Sequence, residues 1–423
     1  MSDEPDDQTQ PPAEAIAPAE PQVNASPNRR MLFRAALGAF GALAGIRRAG
    51  AQSKATPLPP PEVMGTAPDA PTHNASSPAP PQPGQKRPAP PSEMPSAEVP
   101  RRALGKTGAL VSAIGVGGHH LGDAATVEEA LNIVAMALDY GINFFDNCWE
   151  YHNGKSENWL GRGLKGKRDK AFVMTKVCTH GRDAKLGMRM LEESLRRLET
   201  DHLDLWQIHA VSFDNDPALA YAKGGILEAM EKAKKQGKVR FTGFTGHKDP
   251  AFHLEMLRRG YPFDAIQMPL NPMDAQFFSF EKQVVPVANQ KGVGIIGMKS
   301  MGGTADVVKQ NVLTAQDCLR YAMSLPVATT VTGIDSLAVL QQNAAVARGF
   351  KPLLTEQLQA LRDKCAKFAG DGRFELYKVS IKYDNPETRA PHGFPFDKKL
   401  KETDEILEGD SALPAVDTAR APQ

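Results

Sequence analysis

From residue 101 onward, short apolar runs alternate with amphipathic stretches. The runs predict strands over 113–117, 143–146, 172–176, 203–209, 239–245, 265–268, 294–298 and 329–333. Helices are predicted between and after them, over 127–140, 156–164, 184–198, 225–236, 250–259, 280–290, 315–324 and 337–347. In the stretch 184–198, Leu186, Met190, Leu191, Leu195 and Leu198 fall on one face, and its arginines and glutamates are expected on the other. Ahead of the first strand, Gly105-Lys106-Thr107-Gly108 reads as the turn of a hairpin joining 102–104 to 110–112.

Strand then helix, repeated through the region, predicts an α/β fold: a closed parallel (β/α)8 TIM barrel over 101–350 with an N-terminal hairpin. An open doubly wound sheet is the alternative. It would carry a GxGxxG turn after its first strand, whereas Val116-Gly117-Gly118-His119-His120 lacks that spacing. Beyond the barrel, 351–423 reads as a C-terminal extension with one helix over 355–368 and an irregular remainder.

The first hundred residues have a different texture. Asn28-Arg29-Arg30-Met31 precedes an apolar stretch over 35–46, and Ala49-Gly50-Ala51 supplies a small-x-small site. The stretch is shorter than the roughly 20 residues that span a bilayer. The region 1–51 therefore reads as an export signal and resembles the twin-arginine (Tat) type, with Arg47 and Arg48 after the apolar region. The competing reading is a disordered basic-apolar tail. Residues 52–100 hold 15 of the chain's 34 prolines, so they are read as a linker rather than a domain.

Composition narrows the partners. Lys and Arg total 50 against 49 Asp and Glu in 423 residues, which gives no electrostatic case for nucleic acid. No stable membrane span is expected in the mature chain. The cysteines Cys148, Cys178, Cys318 and Cys365 show no CxxC pair and no zinc-ligand spacing. A Cys148–Cys178 bridge is weighed against two unpaired thiols, the second being favoured.

Candidate chemistry gathers at strand ends. Asp146, Lys176 and His209 end the second, third and fourth runs, and Tyr151 lies five residues past the aspartate. In a barrel those ends share one rim. A carbonyl that accepts a hydride needs a proton, and a phenol beside an ammonium is a suitable donor. The motifs LGKTG, FFDNCWEY, MTKV and LWQIH resemble the aldo-keto reductase family over roughly 101–350. The resemblance implies Tyr151 as proton donor, Lys176 and Asp146 as its tuning pair, and His209 as substrate orienter.

It also implies a nicotinamide dinucleotide, NADP(H) or NAD(H). Gln267 and Thr245 match the positions that hold the carboxamide, with His247 standing in for a missing asparagine. Met298 and Lys299 lie in the segment matching the pyrophosphate loop. Gly333, Asp335, Ser336, Gln342 and Asn343 match the adenine end. Asp335 departs from the basic residue common there. A carboxylate repels a 2′-phosphate, so NAD(H) use is expected. The expected activity is reduction of an aldehyde or ketone, or oxidation of an alcohol. Two other classes stay open: a nicotinamide-binding sensor or partner subunit, and a metal-dependent hydrolase barrel suggested by His119, His120, His152, His180, His209 and His247. No metal site is expected.

Overall fold

Alternation along each strand decides where the chemistry sits. In the computed structural model, which describes residues 98–177, 182–380 and 383, strands β1 (Arg101–Ala103) and β2 (Leu110–Ser112) form an antiparallel hairpin. The next eight strands are β3 (Ile114–Gly117), β4 (Phe144–Asp146), β5 (Phe172–Val177), β6 (Leu203–Ile208), β7 (Val239–Thr245), β8 (Ala265–Pro269), β9 (Gly294–Met298) and β10 (Thr329–Gly333). They run parallel, each paired with the next, and β10 closes onto β3 through Gly333 opposite Gly117. The fold is a (β/α)8 TIM barrel, as the alternation predicts.

Two apolar cores follow. Phe144, Phe172, Met174, Leu205 and Ile296 fill the barrel interior, and Leu104 and Val111 of the hairpin join them. The larger core lies between strands and helices and includes Phe145, Val173, Trp206 and Ile208. Period-two alternation then sends Asp146 inward after Phe144, Lys176 after Met174, and Gln207 and His209 after Leu205. A cavity of about 370 Å³ at the opposite rim, lined by Arg101, Leu110, Asn143, Asp204 and Arg240, lies at the strand starts. Barrel chemistry belongs at strand C-terminal ends, so this cavity is not the active site.

Three expectations need correction. The helix predicted over 280–290 is two helices, Phe280–Gln283 and Val285–Lys291, because Pro286 has no N–H to continue the first. Glu193 and Arg197 of helix Ala184–Arg197 do not face out: both are buried, where they pair with each other and brace the loop after β4. The tail is more structured than expected, with helix Thr355–Ala369 followed by a short helix Leu376–Val379. The proposed signal and linker, together with Cys178 and His180, lie outside the described residues. Among the described residues no helix is long and apolar enough to cross a membrane.

Candidate active site

The four strand-end residues meet at one rim. Lys176 Nζ forms a buried ion pair with Asp146, donates to the Asn147 carbonyl at 2.8 Å, and lies 3.4 Å from the Tyr151 hydroxyl. The Tyr151 ring stands edge-on to the His209 ring at 5.9 Å. Lys176 has its partners because β4 and β5 are adjacent in register, Asp146 opposite Met174.

The electrostatics differ from the sequence expectation. Burial, and next the Asp146 carboxylate, push the Tyr151 phenol well above its ordinary pKa. The ammonium at 3.4 Å does not outweigh these effects, because the Asp146 carboxylate in contact with it offsets part of its field. The phenol therefore keeps its proton, the form a donor needs.

His209 has a partner that the sequence reading missed. Glu150 Oε1 lies 2.5 Å from His209 Nδ1, and Cys148 Sγ lies 3.2 Å from the same nitrogen. A carboxylate there holds a proton on Nδ1, which leaves Nε2 bare in the neutral ring. Burial lowers the His209 pKa, and Glu150 opposes that shift. The neutral ring thus accepts a hydrogen bond through Nε2, and only its imidazolium donates there. Cys148 is a free, buried thiol, and Cys178, the partner weighed for it, lies outside the described residues.

Two buried clamps set these loops. Arg182 pairs with Asp216 at 3.1 Å and donates to the carbonyls of His209 at 2.8 Å and Ala210 at 3.0 Å. Arg197 joins Glu157 and Glu193 and donates to the Trp149 carbonyl at 2.7 Å, while Trp149 Nε1 donates to Glu193 at 2.8 Å. Arg182 bears no local sequence signal, and although Arg197 has Glu193 four residues before it, its contacts to Trp149 and Glu157 are remote in the chain. Trp149 and Phe280 are core residues, whereas Phe278 is exposed.

The structure also shows whether the chain suits a dinucleotide. Gln267 Nε2 donates to Asp146 Oδ2 at 2.8 Å, yet its buried Oε1 has no hydrogen-bond partner, nor does the buried His247 Nδ1. An unpaired acceptor beside the Lys–Asp pair fits a carboxamide N–H. Thr245 Oγ1 accepts from the Ala210 N–H at 2.9 Å and keeps its own proton to donate. Met298 and Lys299 follow at the end of β9, with Lys299 at φ 53°. Burial, then the charge of Lys176, lowers Lys299 to about 8. Gly333 ends β10 against the His120 ring. Asp335 is exposed, and Ser336 caps helix Leu337–Arg348, which carries Gln342 and Asn343.

The tail packs over this rim. Lys378 is buried with Asp274 and Glu375, each at 2.8 Å, and Lys248 donates to the Ser380 carbonyl at 2.8 Å. Lys299 Nζ lies 5.4 Å from the Tyr377 ring centroid and 4.8 Å from that of Tyr383.

Residues 113–310 match the profile described as the aldo/keto reductase family. L-galactose dehydrogenase of Arabidopsis thaliana is 37% identical over 155 residues, covering 34% of this chain and 48% of the relative. The chain thus spans about half the length of that relative. An aldo-keto reductase of Bacillus halodurans in its holo form shares the fold, with TM-score 0.53 and 23% identity over 63% of this chain and 96% of that one. One from Klebsiella pneumoniae, solved with NADP and acetate, has TM-score 0.52 and 22% identity over 62% and 95%. With its eight-stranded barrel and a profile match that takes in β3 to β9, the region 113–310 is similar to the aldo/keto reductase family.

Proposed function

We propose that this chain interconverts an aldehyde or ketone and its alcohol by hydride transfer to or from a nicotinamide dinucleotide, with Tyr151 as proton donor. The observation that carries the reading is the Tyr151 hydroxyl 3.4 Å from the Lys176 ammonium at the chemical rim of the barrel. A bound reduced nicotinamide supplies the hydride. Tyr151 gives its proton to the carbonyl oxygen as that oxygen gains charge, and Lys176 stabilises the phenolate left behind. Asp146 fixes Lys176 and Gln267 together. His209, held by Glu150, orients the substrate oxygen through Nε2, accepting from the alcohol hydroxyl as the neutral ring and donating to the carbonyl as the imidazolium. Gln267, Thr245 and His247 suit the carboxamide, and Lys299 suits a phosphate.

The test is oxidation of NADH and NADPH against a panel of sugar aldehydes, simple aldehydes, ketones and quinones. The similarity to a galactose dehydrogenase puts sugars first. Turnover supports the reading. Tight dinucleotide binding with negligible steady-state turnover on the whole panel would favour a sensor or partner subunit instead.

The proposal extends to cofactor choice and location. NAD(H) is used at least as well as NADP(H), because the carboxylate of Asp335 stands before the capped helix Leu337–Arg348. Tenfold tighter NADPH binding would contradict this. The twin-arginine segment directs export of the folded, dinucleotide-loaded protein. Support for retention comes from the tail: a Cβ on Gly302 would lie 2.3 Å from the Phe374 carbonyl, so the tail backbone crosses the glycine loop directly. Exported protein purified without bound nicotinamide would defeat the loaded-export idea.

A further inference from the structure

We propose that His119, Asp123 and His152 bind a divalent transition-metal ion of the zinc class at the barrel mouth, beside Tyr151. The inference stands apart from the reductase reading, since none of the three is assigned to proton transfer or to the dinucleotide.

The ligand atoms already converge. His119 Nδ1 lies 3.2 Å from Asp123 Oδ2, His152 Nε2 lies 3.5 Å from Asp123 Oδ1, and all the candidate atoms fall within 4.8 Å of one another. Zinc bonds of about 2.0–2.1 Å in a tetrahedron separate ligands by roughly 3.3 Å, and the two measured separations, each to a different oxygen of Asp123, lie near that edge.

The backbone arranges this from two segments. His119 and Asp123 are four residues apart on the turn that follows β3, which places them on one face. His152 arrives from the segment after β4 with φ 51°, a left-handed conformation unusual for a residue with a Cβ. Gly122 makes room for it, because a Cβ there would lie 2.3 Å from His152 Cδ2. His152 Nε2 now faces the His119 carbonyl at 2.8 Å. Binding would replace the proton on that nitrogen with the ion.

The donor set selects the ion. Two imidazoles and one carboxylate suit zinc-like ions over Mg²⁺ or Ca²⁺, which want oxygen, and no thiolate is present to favour Cu(I). The side chains of His119 and Asp123 are 59% and 43% exposed, so a fourth position stays open to water. The His119 ring stands edge-on to Tyr151 at 5.4 Å. An ion here would therefore tie together the two segments that frame the phenol.

The test is calorimetric titration of Zn²⁺ and Mg²⁺ into full-length protein lacking any histidine tag, with zinc-dependent melting as a second readout. One Zn²⁺ per chain is expected, with no comparable Mg²⁺ binding and a raised melting temperature. Asp123→Asn and His152→Gln should each weaken Zn²⁺ by about tenfold or more. Gly122→Ala should do likewise without removing a ligand, by displacing His152. His202→Gln removes the exposed His202–Asp201 pair at 2.7 Å and should leave binding unchanged. Absence of stoichiometric Zn²⁺ binding, or affinity unchanged in both Asp123→Asn and His152→Gln, overturns the proposal.

Discussion

With Lys299 against a dinucleotide phosphate, as proposed, affinity should fall as pH rises above about 8. Its ammonium is pulled from 10.5 to about 8, first by burial and then by Lys176, with Asp146 opposing. A phosphate partner favours the charged form, so binding raises this pKa and takes up a proton near pH 8. Below pH 8 the lysine is charged before binding and affinity is level. Above pH 8 it is neutral when free, and affinity falls as pH rises. Full restoration from about 8 to 10.5 would be worth roughly 300-fold, or about 3.4 kcal/mol. Lys299 is only half-buried, and water screens it, so about tenfold between pH 8 and 10 is the working expectation. The assay is calorimetric titration of NADH at pH 7, 8, 9 and 10 and constant ionic strength, in buffers of two ionisation enthalpies. Lys299→Arg stays charged throughout and should abolish the slope. Level affinity across the range in the native protein, or an equal slope in Lys299→Arg, would refute the reasoning.

Three further outcomes follow from the same structure. His253 is fully buried and lowered to about 4 from 6.5, chiefly by burial, so its contribution is complete above pH 6.5 and lost as pH falls toward 4. That loss is roughly 3 kcal/mol, and His253→Gln should flatten the change in urea midpoint between pH 7 and 4.5. Arg182→Ala should cost about 3–5 kcal/mol in urea unfolding, since it strands Asp216 and frees the His209 and Ala210 carbonyls; a loss under 1 kcal/mol would show that the clamp is dispensable. Asp335→Arg should tighten NADPH by roughly tenfold while leaving NADH nearly unchanged, and no change in the NADPH dissociation constant would remove Asp335 from cofactor choice.

Much of the architecture was legible because it is written in local periodicity. Leu205, Gln207 and His209 alternate inward, and the same alternation aims Asp146 and Lys176 at one rim. The break near Val284 was also visible in Pro286, but the apolar pattern runs through it and hides it. What sequence reading missed was long-range and polar. Glu193 and Arg197 look like solvent-facing helix residues, yet they find Trp149 and Glu157 across the fold. Glu150 sits in the motif that carries Tyr151, but only the folded chain brings it to His209 Nδ1. The Tyr151 shift was misjudged for a related reason: counting the ammonium without the carboxylate in contact with it overstates its field.

The central claim is that Tyr151 supplies the proton. Rapid-mixing oxidation of bound NADH in a single turnover tests it directly, comparing the native chain with Tyr151→Phe on the best substrate. The phenol makes no contact with the Asp146–Gln267 bond in the described structure, so dinucleotide affinity should hold within a few-fold. Hydride transfer should slow by about 10²–10⁴-fold. Transfer at the native rate in Tyr151→Phe, with cofactor bound, would contradict the account.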